Sequence, residues 1–336
     1  MSTIAIFGAG SWGTALAQSF ASYGHQVMLW ARNSKQVDAM QATRLNAHYL
    51  PGIHLHENIQ FLTDIEQTAE ADYSLIAVPT QAQRAFLEAN KARFSGCEPL
   101  INVAKGLEAD SGKRLSTIYT EVLGDVEGRY VVLYGPSHAE EVGRNMPTAL
   151  VAAAKDEGLA AQVQKDLMNE NLRLYTTDDV TGVELGGALK NIIALAIGMT
   201  IGLGYGDNAR AALMTRGLAE ISRLGVKNGA NPLTFLGLTG VGDLIVTCTS
   251  AHSRNRTAGV QLGEGRTLED VLTHMGMVVE GVPTTKAAYE RAQASGISMP
   301  IVEHMHAVLF DQADVKEAAF DLMTRSGKSE QEDYLN

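Results

Sequence analysis

Cysteine is nearly missing from this 336-residue chain: only Cys97 and Cys248 occur, far apart and without metal-ligand spacing around either. That excludes a disulfide framework and makes a reducing compartment the natural setting. Positive charge is also scarce, with 27 Lys and Arg against 38 Asp and Glu for a formal net charge of -11. Nucleic acid or an anionic membrane as main partner requires a basic surface, so neither is expected. If the ligand is an anion, the cations that meet it must be placed deliberately. Long hydrophobic runs are missing as well. The longest, residues 192–201, is interrupted by Gly198 and Thr200 and falls short of the roughly 20 residues that span a bilayer. No basic leader precedes the first apolar segment, so neither secretion nor membrane insertion is expected and the cytoplasm is the expected location. His304 and His306 stand two apart, on different faces of a helix, which argues against a metal site. No internal repeat is visible.

What is present is a globular composition, 45% hydrophobic and 19% charged, in a chain long enough for two cores. The first half alternates short apolar runs with amphipathic stretches, as a mostly parallel, doubly wound α/β sheet requires. Strands are expected at residues 4–7, 27–30, 74–78, 100–103 and 131–133, with further candidates at 59–62, 149–153 and 172–175. Helical patterns cover 14–23, closed by Gly24, and 81–94; residues 44–58, with Pro51-Gly52, read as a loop. Beyond Thr181 the pattern is helical: 183–201, 209–224, 232–236, 257–262, 268–275, 284–295 and 300–310. The expected division is a nucleotide-binding domain over 1–182 and an all-α domain over 183–336, with a polar, mobile tail from Met323.

The first strand runs into Gly8-Ala-Gly10-Ser-Trp-Gly13 and then a helix. In such a G-x-G-x-x-G turn the first glycine permits the tight bend and the second lets a pyrophosphate approach the backbone. The third lets helix pack on strand. The helix N-terminus adds unpaired N–H groups and the positive end of a dipole. The second strand ends in Trp30-Ala31-Arg32-Asn33, without the carboxylate that would hold a ribose 2′-hydroxyl. Arg32 can instead pair with a 2′-phosphate, which favours NADP(H) with NAD(H) usable, or it stacks on adenine.

Where a nicotinamide cofactor adds hydride to a carbonyl, negative charge builds on oxygen, and a cation or acid must meet it. Lys190 lies in a helix of apolar and small residues, where Gly186 and Gly187 are expected to leave room for a small ligand; the alternative is a lysine snorkelling from a helix edge. Lys105 follows an apolar strand, at the end where ligands bind in open sheets, or is a solvated loop residue. Asp243, in Gly240-Val-Gly-Asp243, can orient Lys190, accept a hydrogen bond from a substrate hydroxyl, or cap the next helix. Ser253-Arg254-Asn255-Arg256 joins two guanidinium groups to an expected helix start, a combination suited to a phosphate, although either arginine can be a plain surface charge. Gly135-Pro136-Ser137 is a turn after a strand. Its neighbour His138 is set aside as acid or base, because Lys190 is the stronger candidate and histidine is frequent in turns for other reasons. Gly202-Leu-Gly204-Tyr-Gly206 follows a helix and reads as a terminus and hinge.

Several segments together resemble bacterial NAD(P)-dependent glycerol-3-phosphate dehydrogenase. They are the Gly8–Gly13 turn, Val103-Ala-Lys105-Gly-Leu107, Gly135-Pro-Ser137-His-Ala139-Glu, Ala188-Leu-Lys190-Asn191, Gly240-Val-Gly-Asp243-Leu, Ser253-Arg254-Asn255 and Val278-Val-Glu280-Gly281. The resemblance implies a Rossmann domain followed by a helical one, and reduction of dihydroxyacetone phosphate to sn-glycerol 3-phosphate. It implies cofactor contacts from Ser11, Trp12, Arg32, Lys105, Ala139, Arg254, Val278 and Glu280. Substrate contacts fall to Lys105, Gly135, Ser137, Lys190, Asp243, Ser253, Arg254 and Asn255, with Lys190 as proton donor and acceptor. A homodimer and a role in phospholipid precursor synthesis are implied too; apart from the resemblance, closure around the substrate is expected of a site between domains. The rival enzymes are hydroxyacid and 6-phosphogluconate dehydrogenases, which also use a helix lysine; the rival outside catalysis is an NAD(P)H-sensing regulator.

Overall fold

Strands of five residues or so with almost no polar positions arise when both faces of a sheet are covered. In the computed structural model, which describes residues 1–276, 278–327 and 329–330, that is how the first part of the chain is built. The strands are β1 (Thr3–Phe7), β2 (Gln26–Trp30), β3 (Ile59–Leu62), β4 (Tyr73–Ile76), β5 (Leu100–Asn102), β6 (Tyr130–Tyr134), β7 (Thr148–Ala153) and β8 (Leu172–Thr177). They form one sheet in the order β3-β2-β1-β4-β5-β6-β7-β8, in which only the β6–β7 pair is antiparallel. Chain order reverses between β1 and β4, the switch point beside which such sheets bind ligands.

The accompanying helices are α1 (Ser11–Ser22), α2 (Ser34–Thr43), α3 (Thr80–Ala89), α4 (Leu115–Leu123), α5 (Ala139–Val142) and α6 (Glu157–Leu167). Alternate strand residues Ile4, Ile6, Val27 and Leu29 share a core with Leu16 and Phe20 of α1 and Val163 of α6. On the other face Phe7, Trp30, Phe86 and Phe94 pack ring against ring. The eight strands fall where the sequence places them, within two residues at each end. The helix expected over 81–94 stops at Ala89, and Asn90 ties its side-chain amide back to the Phe86 carbonyl. Gly24 has φ +92°, the left-handed conformation that closes α1.

By its contacts the chain forms two units, Met1–Ala104 with Leu115–Val180, and Lys105–Arg114 with Thr181–Asn336. The second contains α7 (Val180–Gly202), α8 (Asp207–Lys227), a 3-10 turn (Pro232–Leu236), a π turn (Leu238–Gly242), α9 (Asp243–Thr249), α10 (Arg254–Gly263), α11 (Leu268–Met275), α12 (Gly281–Ser295), α13 (Pro300–Phe310) and α14 (Val315–Thr324). Helix α7 is longer than its apolar run suggests. By length and composition it passes for a membrane span, but 89% of its most apolar window is buried, as in a core helix. It meets α10 backbone to backbone: a Cβ on Gly198 or Gly202 would lie 2.8 Å from the Cα of Gly259 or Gly263. The Gly202–Gly206 stretch ends α7 and caps α8. Met323 and Thr324 close α14, and the tail expectation from residue 331 onward lies outside the described residues.

Residues 105–114 pack with the second unit although they lie between β5 and α4 in sequence. Leu107, fully buried, joins the core formed by Leu185, Leu189 and Ile192.

Candidate active site

Lys190 is 5% exposed on α7, and its ammonium donates to Asp243 Oδ1 and, at 2.6 Å, to Thr247 Oγ1. Thr247 lies four residues after Asp243 on α9 and donates its own proton to the Asp243 carbonyl, 2.6 Å away, leaving its oxygen to accept from Lys190. The other carboxylate oxygen of Asp243, Oδ2, accepts from Lys105 Nζ at 2.7 Å. One fully buried carboxylate thus holds two ammonium groups, neither of them in the snorkelling or solvated role open to them in the sequence. Asp243 does not cap α9 with its side chain.

Burial draws the Lys190 ammonium down to about 8; Asp243 opposes that fall and Lys105 deepens it. Burial also pushes the neighbouring Cys248 thiol up to about 12, so it stays protonated at neutral pH.

The expectation that Gly186 leaves room for a ligand is corrected: a Cβ there would stand 2.7 Å from the Thr239 carbonyl oxygen. The missing side chain admits the π turn, and docking that turn against α7 carries Asp243 to Lys190.

Ser253 is the N-cap of α10, accepting from the Arg256 N–H, so the expected helix start is present. Arg254 is exposed at the first helical position, whereas Arg256 is fixed on the Ser250 carbonyl at 2.8 Å. Asn255 donates to Asn191 Oδ1 at 3.0 Å and accepts from the Gly281 N–H at 2.9 Å. That places the residue after Lys190, the start of α10 and the start of α12 in one network. Glu280 is the N-cap residue of α12, and Val278 is exposed just before it.

In the first unit Gly8 has φ +114°, and a Cβ on it would lie 2.9 Å from the Ala77 backbone; one on Gly13 would collide with the Gly8 carbonyl. Above Gly10 a Cβ would meet nothing within 4 Å. Gly10 caps α1 without a side-chain bond, and no acidic residue stands in the first turn, where Ser11 and Trp12 lie. This open cradle fits a diphosphate. Its loop is fastened through the Ala9 carbonyl, which accepts from Gln36 at 2.7 Å and from Asn46 at 3.0 Å. Arg32 is exposed between β2 and α2, whose N-cap is Asn33. Gly135 (φ +154°) turns β6 toward α5; Ser137 Oγ donates to its carbonyl at 3.0 Å, and Ala139 opens the helix after the His138 cap.

Lys105, Lys190 and Asp243 are therefore brought together, and Asn255 is hydrogen-bonded to Asn191, the residue after Lys190, with Ser253 and Arg254 directly before it in sequence. Sequence reasoning missed Thr247, for which the four-residue spacing from Asp243 was an available signal. It also missed Gln36 and Asn46, whose role rests on contacts 27 and 37 residues away in sequence.

Residues 3–160 match the family model described as the NAD-dependent glycerol-3-phosphate dehydrogenase N-terminus, and residues 179–320 match its C-terminus. An NAD(P)+ glycerol-3-phosphate dehydrogenase of Bacillus velezensis is 51% identical over 100% of this chain and 98% of its own length. Its counterpart in Desulfitobacterium hafniense is 52% identical over 99% of this chain and 94% of its own. The crystal structure of glycerol-3-phosphate dehydrogenase from Coxiella burnetii superposes with a TM-score of 0.91 at 37% identity, covering 96% of this chain and 99% of that one.

Proposed function

Because the chain belongs to the NAD-dependent glycerol-3-phosphate dehydrogenase family, we propose that it reversibly reduces dihydroxyacetone phosphate to sn-glycerol 3-phosphate with NAD(P)H. The observation that carries this reading is the buried Asp243 carboxylate shared by Lys190 and Lys105, a proton source with a second cation beside it.

The Gly8–Gly13 cradle, with Ser11 and Trp12, would hold the nicotinamide cofactor, which when bound would supply hydride to a ketone carbon. Lys190 holds its proton at Nζ and gives it to the developing alkoxide; in the reverse direction the neutral amine takes the hydroxyl proton. Asp243 and Thr247 fix the direction of that ammonium, and Lys105 adds positive charge where the oxygen turns negative. Arg254, exposed at the N-terminal turn of α10, suits the substrate phosphate: a guanidinium and a helix dipole act together in a protein whose net charge would otherwise repel a dianion.

The remaining assignments follow by position. Arg32, Ala139, Val278 and Glu280 complete the cofactor contacts, with Lys105 and Arg254. Gly135, Ser137, Ser253 and Asn255 complete those to substrate. Arg32 favours NADP(H) over NAD(H). The working form is a cytoplasmic homodimer feeding phospholipid synthesis.

Loss of NADPH and NADH absorbance with dihydroxyacetone phosphate tests this in the wild type and in Lys190→Ala. The expected result is rapid oxidation that falls by about 10²–10⁴-fold in the variant while cofactor binding persists. Cofactor binding without turnover of the triose phosphate, or faster turnover of a hydroxyacid, would overturn it.

A further inference from the structure

We propose that Arg114 and Arg291 are positioning residues for this reaction: they pin the Lys105–Arg114 segment so that the Lys105 ammonium stays on the carboxylate that also holds Lys190. The inference rests on the reading of Lys190 as the proton donor.

The segment has no helix or strand of its own. Within it the Glu108 N–H donates to the Lys113 carbonyl and the Gly112 N–H to the Glu108 carbonyl, which makes a tight turn but does not fix where the turn sits. Side-chain anchors from the helical unit help to do that. Leu107 is buried in the helical core. Arg114 pairs at 2.6 Å with Glu184, a carboxylate 2% exposed on α7, six residues before Lys190. Arg291, on α12, donates Nη1 to the Gly112 carbonyl at 3.0 Å. It turns Nε and Nη2 to Asn228 Oδ1, and Asn228 is itself fixed on the Leu224 carbonyl at the end of α8. Two guanidinium groups thus fasten a short irregular loop to α7, α8 and α12, and the first residue of that loop delivers the second cation to Asp243.

The groups that act on Lys190 are Asp243 and Cys248 from α9 and Lys105 from this segment. Of these, only Lys105 depends on a loop for its place. With the anchors released the Lys105 cation drifts off the carboxylate, Asp243 serves Lys190 alone, and Lys190 holds its proton more tightly. A purely structural role would lower stability and leave the acidity of Lys190 where it is.

The test is the pH dependence of kcat for triose phosphate reduction in the wild type, Arg291→Ala, Arg114→Ala and Arg114→Lys. Lys190 is titrated in the cofactor-free proteins by ¹⁵N NMR of its ammonium group. Both alanine variants are expected to move the midpoint upward by about one unit and to raise KM, while Arg114→Lys, which can still reach Glu184, restores both. Folded variants whose midpoint matches the wild type would overturn the proposal. Should an alanine variant fail to fold, Glu184→Gln releases Arg114 without changing shape and gives the same reading. A wild type that turns over no triose phosphate would instead overturn the functional reading, and the NMR titration would still decide the role of the anchors.

Discussion

Gly198 of α7 and Gly259 of α10 touch through their backbones: a Cβ on Gly259 would collide with the Leu195 carbonyl, and one on Gly198 with that of Arg256. The contact holds the two helices at a separation at which Asn191 and Asn255 share a hydrogen bond. Gly198→Ala and Gly259→Ala should each cost about 1–3 kcal/mol through overpacking. They should also raise KM for the phosphorylated substrate more than KM for the cofactor. Thermal unfolding and steady-state kinetics measure both; a variant with wild-type Tm and KM would show that the helices can part freely.

The two directions of the reaction should respond oppositely to pH. With Lys190 in its proposed role as acid and base, reduction should decline as pH rises past about 8, and oxidation of glycerol 3-phosphate should rise through the same midpoint. The same group affects stability. The folded chain gives up this proton near 8 and the unfolded chain near 10.5, so the Lys190 contribution makes the fold more stable with rising pH between those values. Parallel pH profiles in the two directions would rule out Lys190 as the shared acid and base.

Glu220 offers a check away from the chemistry. It is buried on α8, accepts the Ile301 N–H at 2.8 Å and the Val302 N–H at 3.3 Å at the start of α13, and is pushed up to about 7 by burial. Between 4.5 and 7 the folded chain keeps a proton that the unfolded chain has lost, so this group's contribution to stability falls as pH rises through that window. Glu220→Gln should remove a slope on the order of 2 kcal/mol between pH 5 and pH 8 in urea unfolding. An unchanged slope would mean that Glu220 is ionised throughout.

Arg32→Ser should raise KM for NADPH about tenfold, the scale of one charge-assisted contact, and leave KM for NADH nearly unchanged. Equal effects on both cofactors would point to stacking on adenine, the other role open to this side chain.

What the sequence made legible was what neighbours in the chain decide. The Gly8–Gly13 turn, the helix start within Ser253-Arg254-Asn255-Arg256 and the Pro300 helix start are local, and each appears where its residues predict. Apolar spacing misled once: Phe94 continues the helical period because it packs on Phe7 and Phe86, although the helix has already ended. Helix α2 left little trace, having only Val37 and Met40 buried. The antiparallel turn of β7, the filling of Gly186 and the anchoring of residues 105–114 depend on partners far along the chain, which no local pattern encodes.

The excursion of residues 105–114 means that no single cut separates this protein into two self-sufficient pieces. A fragment ending at residue 180 would carry a loop whose Leu107 has lost its core and whose Arg114 has lost Glu184. The complementary fragment would have Lys190 and Asp243 without Lys105. The shared carboxylate of Asp243 thus keeps both of its ammonium partners only in a continuous chain or in two fragments that reassociate, which makes covalent connectivity itself a component of the proposed proton-donor site.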